Sequence, residues 1–222
     1  MRPRVIAIDG PAASGKSTTA TAVARELGAL HLDSGALYRG LTAIALELPA
    51  REAGAILGAA EARGLALRQV GEEVIPYLDG RAAEDRIRGE DVTRLVSEVS
   101  ALPAIREWVN ARLREAVSRQ ALVVMDGRDI GTAVFPDAPV KVFLTATPEA
   151  RARRRLLQRG DRPSPAQIAV EAAALAERDR KDTSRPVAPL RQSPEATLLD
   201  TTSLSFEEQV GEIVRLARAR LP

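Results

Sequence analysis

A glycine-rich loop follows the first apolar run of the chain, and its residue types are those that bind phosphate. Residues 10–17 read Gly-Pro-Ala-Ala-Ser-Gly-Lys-Ser, which matches the pattern G-x-x-x-x-G-K-[ST]. Glycines let backbone N–H groups wrap an anion closely, and Lys16 would reach the β- and γ-phosphates of a nucleotide. The hydroxyl of Ser17 would ligate Mg²⁺. The loop therefore predicts a nucleoside triphosphate as donor, bound together with Mg²⁺.

The sequence around this loop predicts the strand and the helix that such a loop needs. Residues 5–8 form a continuous apolar run, which is typical of a strand buried on both faces of a parallel sheet. After the loop, apolar residues at 20, 23, 24 and 27 repeat with helical spacing, and Gly28 stands where a glycine ends a helix. We therefore expect strand, loop and helix in that order, with the helix N-terminus directed at phosphate.

Strands and helices alternate along the rest of the chain. We predict strands at 30–33, 121–126, 140–144 and 197–200, with helices between them. The last helix should begin at Ser205, which forms a capping box with Glu208. Residues 65–88 break the helical rhythm, and the turn pair Asp79-Gly80 predicts a small antiparallel insert there. The alternation favours a three-layer α/β fold with a central parallel sheet.

Acidic residues stand at the ends of three predicted strands, at Asp9, Asp33 and Asp126. Ligands of such sheets bind beyond the carboxyl ends of the strands. Asp126 follows a buried strand, as does the acid that orients Mg²⁺ in phosphoryl-transfer enzymes, and Asp9 is a second candidate for that role. His31 is the single histidine, and we interpret it as a packed residue near the sheet edge.

The composition limits the class of protein. A chain of 222 residues, 45% of them hydrophobic, is long enough for one large α/β domain or two small ones. No apolar run reaches the length of a membrane span, and the first strand begins too close to Met1 for a signal peptide, so we expect a cytoplasmic protein. The absence of cysteine excludes disulfides and thiolate metal sites. A net charge of +2 is too small for a nucleic-acid scaffold.

Arginines cluster in two later segments. Between residues 151 and 162 they are dense, and Arg151, Arg154 and Arg155 share one helix face. The Gly/Pro/Ser-rich stretch 160–165 is interpreted as the tip of a lid. A second group with helical spacing consists of Arg178, Asp182 and Arg185. Because phosphoryl transfer needs cations around the transferred group, we expect the first group to face phosphate rather than to form a solvated helix surface. For the second group the alternative is a salt-bridged surface.

Four segments together resemble the bacterial cytidylate kinases, and they cover nearly the whole chain in the right order. They are the phosphate-binding loop, residues 32–39 (Leu-Asp-Ser-Gly-Ala-Leu-Tyr-Arg), residues 126–137 (Asp-Gly-Arg-Asp-Ile-Gly-Thr-Ala-Val-Phe-Pro-Asp) and residues 177–185 (Glu-Arg-Asp-Arg-Lys-Asp-Thr-Ser-Arg). The second and third segments are close to unique to that family. The resemblance implies ATP-dependent phosphorylation of CMP and dCMP.

The resemblance also implies a layout for the chain. Residues 1–222 would form a single P-loop kinase domain with its core at 1–34, 121–150 and 166–222. Residues from about 35 to 120 would be the lobe that binds the nucleoside monophosphate (NMP), including the β insert, and residues from about 151 to 165 would be an arginine-rich lid. The implied cofactor is Mg²⁺ with ATP. We expect a monomer without a nucleic-acid or membrane partner.

Site residues carry over from the resemblance position by position. ATP would be bound by Gly10, Pro11, Ala12, Ala13, Ser14, Gly15, Lys16, Ser17 and Thr18. The acceptor nucleotide would be bound by Ser34, Tyr38, Arg39, Ser97, Arg106, Arg128, Asp129, Arg178, Asp182 and Arg185. Among these, Ser97, Arg106 and Asp129 resemble the cytosine readers, Arg178 and Asp182 the sugar ligands. The expected catalytic cations are Lys16, Arg128, Arg154, Arg155 and Arg185, of which Arg185 resembles a phosphate-bridging arginine. The expected metal ligands are Ser17 and Asp126.

Three other classes of protein are alternatives to this interpretation. A kinase of another small acceptor, such as UMP, shikimate or gluconate, shares the loop and the lid. A regulatory GTPase needs an N-K-x-D motif, but Asn110 is the only asparagine, flanked by Val109 and Ala111, and D-x-x-G is missing too. A nucleic-acid motor needs a strand-tracking basic groove, for which the size and charge of the chain leave little.

Overall fold

The computed structural model describes residues 4–70 and 73–221. In chain order its elements are β1 (Arg4–Asp9), α1 (Lys16–Leu27), β2 (Leu30–Asp33), α2 (Gly35–Glu47), α3 (Ala53–Ala62), β3 (Ala66–Val70), β4 (Glu73–Leu78), β5 (Arg81–Ala82), α4 (Glu84–Ile87), α5 (Glu90–Val99), α6 (Pro103–Ser118), β6 (Leu122–Gly127), a π-helical turn (Ile130–Val134), β7 (Val140–Thr145), α7 (Pro148–Gln158), α8 (Pro165–Ser184), β8 (Thr197–Asp200) and α9 (Phe206–Arg220).

The central sheet is parallel, as predicted, with strand order β2-β6-β1-β7-β8. The register sets Asp33 opposite Asp126 and Asp9 opposite Gly127. The three predicted strand-end acids therefore lie together at the carboxyl edge of the sheet, where α/β folds bind ligands.

Alternate residues of β1 belong to two separate apolar clusters, one on each face of the sheet. Val5 and Ala7 belong to a cluster that includes buried residues of α2, α5 and α6. Ile6 and Ile8 pack with residues of α1 and α9. A strand covered on both faces explains the continuous apolar run, and the predicted three-layer α/β fold is confirmed.

The predicted antiparallel insert is present as the sheet β3-β4-β5. Asp79 and Gly80 connect β4 to β5 with φ values of 53° and 74°, the left-handed pair that a tight hairpin requires. The connection between β3 and β4 lies outside the described residues. Residues 84–87, which fall within the predicted insert at 65–88, form the short helix α4.

The predicted lid segment runs from α7 through residues 159–164 into α8. Both helices have proline in the first turn, where the missing N–H is not needed. Ser164 caps α8 by accepting from the backbone of Gln167, whose side chain returns to the backbone of Ser164. In residues 4–70 and 73–221, helices long and apolar enough to cross a membrane are absent.

Gly211 is a position in α9 at which a methyl group can be added without a clash. It is exposed inside the helix, and among the described residues nothing lies within 4 Å of the position of an added Cβ. Gly211→Ala should therefore raise the free energy of unfolding by about 0.5–1 kcal/mol, because alanine loses less backbone entropy on folding. Urea unfolding measures this.

The matched control is Gly10→Ala, whose Cβ would lie 2.0 Å from the carbonyl oxygen of Leu144 in β7. That variant should lose stability. Equal effects of the two substitutions would contradict the packing described for both positions.

Candidate active site

The phosphate-binding loop joins β1 to the N-terminus of α1. Gly10 adopts a φ of 153° and lies so close to β7 that no side chain fits there. Gly15 precedes α1 with a φ of 88°, and Ala13 has a φ of 57°, a left-handed conformation that non-glycine residues seldom adopt. Such strain persists only where surrounding contacts impose it, and it concentrates at functional sites.

Lys16 is buried within this loop. Its Nζ donates to the carbonyl oxygen of Pro11 at 2.6 Å and to Oγ of Ser14 at 3.2 Å. Burial lowers its pKa well below the usual range, and the nearby charge of Arg128 lowers that pKa further. The ammonium group of Lys16 is thus buried and hydrogen-bonded to oxygens of its own loop. A phosphate that binds at the loop would neutralise its positive charge.

Asp126, like Asp33, is a strand-end acid that lines the cavity beside this loop. Oγ of Ser17 donates to its Oδ2 at 2.6 Å, and Nε2 of His31 lies 2.8 Å from its Oδ1. Burial opposes ionisation, yet the hydrogen bonds from His31 and Ser17 and the charges of His31 and Lys16 hold the pKa of Asp126 below its ordinary value. The carboxylate is thus kept ionised next to the Ser17 hydroxyl.

His31 is a site residue that the sequence interpretation missed. It lies on the edge strand β2, as predicted, but its Nδ1 is also 3.1 Å from Oγ1 of Thr21, which donates to the carbonyl oxygen of Ser17. His31 therefore connects Asp126 to the first turn of α1. The available signal was its position two residues before Asp33, on the same face of the strand.

Asp9, the second metal candidate, is occupied by the backbone. Its two oxygens accept from the N–H groups of Ile130 at 2.7 Å and Gly131 at 2.8 Å, at the start of the π-helical turn. Burial raises the pKa of Asp9 to about 6 against the effect of these two bonds. Asp9 fixes the segment that follows β6, and Asp126 is the acid of this pair that faces the cavity.

Ser17 and Asp126 supply oxygen donors, the type that Mg²⁺ prefers. Across residues 4–70 and 73–221 there is no cluster of three or more His, Cys, Asp or Glu side chains that could hold a metal by themselves. A hydroxyl and one carboxylate fit a cation that takes its remaining ligands from phosphate and water.

A single cavity of about 990 Å³ extends from the phosphate-binding loop across the carboxyl edge of the sheet. The loop contributes residues 13–18, whereas residues 10–12 lie behind this surface. The cavity also brings together all ten predicted acceptor residues, which are Ser34, Tyr38, Arg39, Ser97, Arg106, Arg128, Asp129, Arg178, Asp182 and Arg185. The topology thus brings together side chains that are far apart in the sequence, from Ser34 to Arg185.

A buried cluster of charged groups forms one part of the cavity wall. Asp129 accepts from Nη2 of Arg106 and, at 3.1 Å, from Nη2 of Arg185. Arg106, which is 2% exposed, also donates to the carbonyl oxygen of Ser100 and lies over the ring of Tyr38 at 5.3 Å. The carboxylate and the guanidinium are therefore fixed relative to each other before any ligand binds.

Several polar atoms around this cluster lack a hydrogen-bond partner in the part of the chain that the structure describes. They are the hydroxyl oxygens of Tyr38 and Ser97 and the Nε atoms of Arg106 and Arg178. Buried polar groups are nearly always paired, so unpaired ones that face a cavity mark places where a ligand would bind.

Two predicted phosphate ligands, Arg185 and Arg128, have carboxylate partners within the chain. Nη2 of Arg185 pairs with Asp129, and its Nε donates to the carbonyl oxygen of Ala188 at 2.6 Å. Arg128 pairs with Asp182, with Nε 3.1 Å from Oδ2. Asp129 therefore holds Arg106 and Arg185, and Asp182 holds Arg128.

Positive charge accumulates in the middle of the cavity. Burial, together with the charges of Arg128 and Arg39, lowers the pKa of Arg178 to about 9. The pKa of Arg39 is likewise lowered by burial. A polyanion would bind favourably to these guanidinium groups, because its negative charge relieves their mutual repulsion in a partly dehydrated cavity.

The three predicted lid arginines point to different partners. Arg154 donates to Oγ1 of Thr201 at 2.9 Å and to the carbonyl oxygen of Thr201. Arg155 pairs with Glu171 at 3.2 Å. Both line the cavity, whereas Arg151 is buried against Asp179 and does not. The expectation that all three face phosphate is therefore wrong for Arg151, because that side of α7 packs on the phosphate-binding loop.

The cavity is also lined by three residues that the sequence interpretation missed. Leu204, Phe206 and Gln209 line it, and Phe206 is 40% exposed. Nε2 of Gln209 donates to Oγ1 of Thr19 at 3.1 Å. The available signal was the position of these residues just after β8, at the carboxyl edge of the sheet. A flat apolar side chain beside arginine suits an aromatic ring.

Comparison with known proteins agrees with this arrangement. A family model described as cytidylate kinase matches residues 6–219. The chain belongs to this family. Cytidylate kinase of Geobacillus kaustophilus (strain HTA426) is 43% identical over 224 residues, covering 100% of both chains. Cytidylate kinase of Lactococcus lactis subsp. cremoris (strain MG1363) is 40% identical, covering 98% of this chain and 99% of its own.

A solved gluconokinase from Sinorhizobium meliloti 1021 also aligns with 99% of this chain and 95% of its own. Its identity of 17% and TM-score of 0.48 are too low to bear on the acceptor.

The crowded arginines lead to a prediction about stability. The pKa of Arg178 is lower in the folded chain than in the unfolded one, so its charge destabilises the fold near neutral pH. Arg178→Met should raise the free energy of unfolding by about 1 kcal/mol, after allowance for partial exposure. The same change should reduce the rise in Tm that inorganic phosphate produces.

Arg180→Met is the matched control, because Arg180 lies on the same helix but is exposed and pairs with Glu177. It should change neither quantity appreciably. A loss of stability in Arg178→Met, or an unchanged response to phosphate, would contradict the repulsion described here.

Proposed function

We propose that this member of the cytidylate kinase family transfers the γ-phosphoryl group of ATP to CMP and dCMP, giving CDP and dCDP with release of ADP. The single observation that carries this proposal is the cavity itself. Its lining combines the phosphate-binding loop, the buried Arg106–Asp129 pair beside unpaired hydroxyls, and further arginines that include Arg39 and Arg178.

The chemistry asks for positioning and charge neutralisation rather than a covalent nucleophile. An oxygen of the acceptor phosphate attacks the γ-phosphorus, the new P–O bond forms, and the bond to the β-phosphate oxygen breaks to release ADP. No base is required if the acceptor phosphate arrives ionised. Lys16, Arg128 and Arg155 are the cations that we assign to the transferred group.

Ser17 and Asp126 are the residues that we assign to Mg²⁺. Bound with ATP, the ion would neutralise charge on the β- and γ-phosphates. The protein itself keeps the Asp126 carboxylate ionised. Contacts with His31 and with the Ser17 hydroxyl orient that carboxylate.

Arg106 and Asp129 are proposed to select the base, together with Ser97. Cytosine presents an amino donor at N4 and acceptors at N3 and O2, whereas uracil presents an acceptor at O4 and a donor at N3. A carboxylate accepts from the amino group, and a guanidinium donates to the ring acceptors. Arg185 then has a supporting role, because it holds the second oxygen of Asp129.

The remaining contacts follow the shape of the cavity. Ser34, Arg39 and Arg128 are proposed ligands of the acceptor phosphate, and Arg178 and Asp182 of the sugar. Phe206, Leu204 and Arg154 would enclose the adenine of ATP at the other end. Residues 35–120 would act as the NMP-binding lobe and residues 151–165 as the lid, in which Arg155 exchanges Glu171 for phosphate on closure.

A single chain supplies every one of these proposed residues, which supports a monomer, and the nature of the two substrates supports a cytoplasmic location. A kinase of a shikimate-like acceptor has no use for the buried Arg106–Asp129 pair, and the family match does not favour it. An assay of ADP release with ATP and Mg²⁺ fixed, and CMP, dCMP, UMP, AMP and shikimate compared, tests the assignment. Turnover fastest with an acceptor other than CMP or dCMP would overturn it.

Lys16→Ala tests the donor site. Loss of a cation that stabilises transition-state charge typically lowers the rate by on the order of 10²-fold or more. We expect kcat to fall by at least that factor while the melting curve shows a folded protein. Lys181→Ala, which removes an exposed lysine of α8, is the control and should retain full activity. Near-normal turnover of Lys16→Ala would refute the donor assignment.

Asp129→Asn tests base selection with minimal change of shape. Mismatched hydrogen-bonding groups in a buried site each cost about 1–3 kcal/mol, so efficiency on CMP should fall far more than on UMP. The quantity to measure is the CMP/UMP ratio of kcat/KM. Asp137→Asn, at an exposed carboxylate, is the matched control. Equal losses on both substrates would mean that Asp129 only braces the two arginines.

A further inference from the structure

One side chain from α7 and one from α8 bind the backbone of the phosphate-binding loop. Its outer arm, defined here as residues 11–13, lies against α7 and α8. The N–H of Ala12 donates to Oδ1 of Asp179 in α8 at 2.8 Å. The carbonyl oxygen of Ala12 accepts from Nη1 of Arg151 in α7 at 2.7 Å. Both backbone groups of one loop residue are therefore satisfied by side chains.

The two side chains are also bound to each other. Nη1 of Arg151 lies 2.6 Å from Oδ2 of Asp179, and Nε of Arg151 donates to the carbonyl oxygen of Ala146 at 3.0 Å. The side chain of Arg151 is 6% exposed and that of Asp179 is 16% exposed. A charged pair held at this depth by several hydrogen bonds has one well-defined arrangement.

Apolar packing holds the outer arm in the same place. Ala12 belongs to a small cluster with Ala152 of α7 and with Ala172 and Leu175 of α8. This cluster is separate from the two clusters that flank the sheet. The outer arm thus depends on α7 and α8 for both its hydrogen bonds and its apolar contacts.

The position of the outer arm bears directly on the donor site. Pro11, just before Ala12, supplies the carbonyl oxygen that holds Nζ of Lys16 at 2.6 Å. Ala13, just after it, keeps the left-handed φ of 57° that turns the loop into the cavity. A shift of Ala12 would therefore move the rest position of Lys16 and relax the turn at Ala13.

We propose that Arg151 and Asp179 are positioning residues that hold the outer arm in the conformation needed to bind the phosphates of ATP. Neither residue lines the cavity, so their effect passes through Ala12. This inference rests on the proposed kinase function, because the loop is assigned to ATP there. It predicts a defect on the donor side alone, although Asp179 is the immediate neighbour of the acceptor-side Arg178.

The test compares Asp179→Asn with unmodified enzyme, using calorimetric Kd values for the non-hydrolysable analogue AMP-PNP with Mg²⁺ and, separately, for CMP. Displacement of a positioned group by about 1 Å can cost on the order of 10²-fold in rate. We expect a fall in kcat of about 10-fold to 100-fold, a higher Kd for AMP-PNP and an unchanged Kd for CMP. Arg151→Lys, which keeps the charge but cannot reach all three oxygens at once, should show the same pattern.

Glu177→Gln is the matched control, since Glu177 lies two residues from Asp179 on α8 in an exposed pair with Arg180. It should match the unmodified enzyme in all three quantities. Equal weakening of AMP-PNP and CMP binding in Asp179→Asn, or no change in either with the fold intact, would overturn the proposal.

A measurement on the unmodified enzyme covers the case in which neither variant folds. Amide hydrogen exchange of Ala12 should be slow without nucleotide, because Asp179 holds that N–H. Rapid exchange would refute the positioning role. Failure of the unmodified enzyme to phosphorylate CMP would instead refute the proposed function, so the two failures can be told apart.

Discussion

Repulsion between arginine side chains is the interaction on which the rest of the structure depends. Arg39, Arg128 and Arg178 come from α2, from the end of β6 and from α8, and burial together with their mutual charge depresses the pKa values of Arg39 and Arg178. These three arginines are far apart in the sequence, so local structure cannot bring them together. The packing of the whole domain must hold them in place. The fold gives up stability to keep a cavity ready for phosphate before phosphate arrives.

The buried and partly buried aspartates of this chain have different functions because each has different partners. Asp9 accepts two backbone N–H groups, Asp126 a hydroxyl and an imidazole, and Asp129 two guanidinium groups. Asp182 balances Arg128, and Asp179 serves the backbone of Ala12 together with Arg151. These environments also separate their proton affinities. Burial prevails at Asp9 and raises its pKa, whereas at Asp126 the hydrogen bonds and neighbouring charges together outweigh burial and lower the pKa.

Local patterns explain what could be predicted from the sequence. The strand 30–33, the α1 stop at Gly28 and the capping box at Ser205 match the structure because each depends on neighbouring residues. The contact of His31 with Asp126 depends on β2 lying beside β6, which no local pattern specifies. The π-helical turn after β6 depends on Asp9, 121 positions earlier in the chain. Arg151 packs on the phosphate-binding loop because it lies on the face of α7 that is directed at that loop. Helical spacing alone cannot distinguish a face that packs from one that faces a ligand.

Helix α8 connects the donor and acceptor ends of the cavity through residues less than one turn apart. Asp179 reaches the phosphate-binding loop, while Arg178 and Asp182 line the acceptor side. One turn of helix rises about 5.4 Å and deforms little, so the spacing between these two sets of contacts is nearly fixed. Two nucleotides bound to such a helix would be held at a set separation, and in-line transfer depends on that separation. A rigid helix can thus align two substrates that repel each other, provided that the arginines around them neutralise the charge.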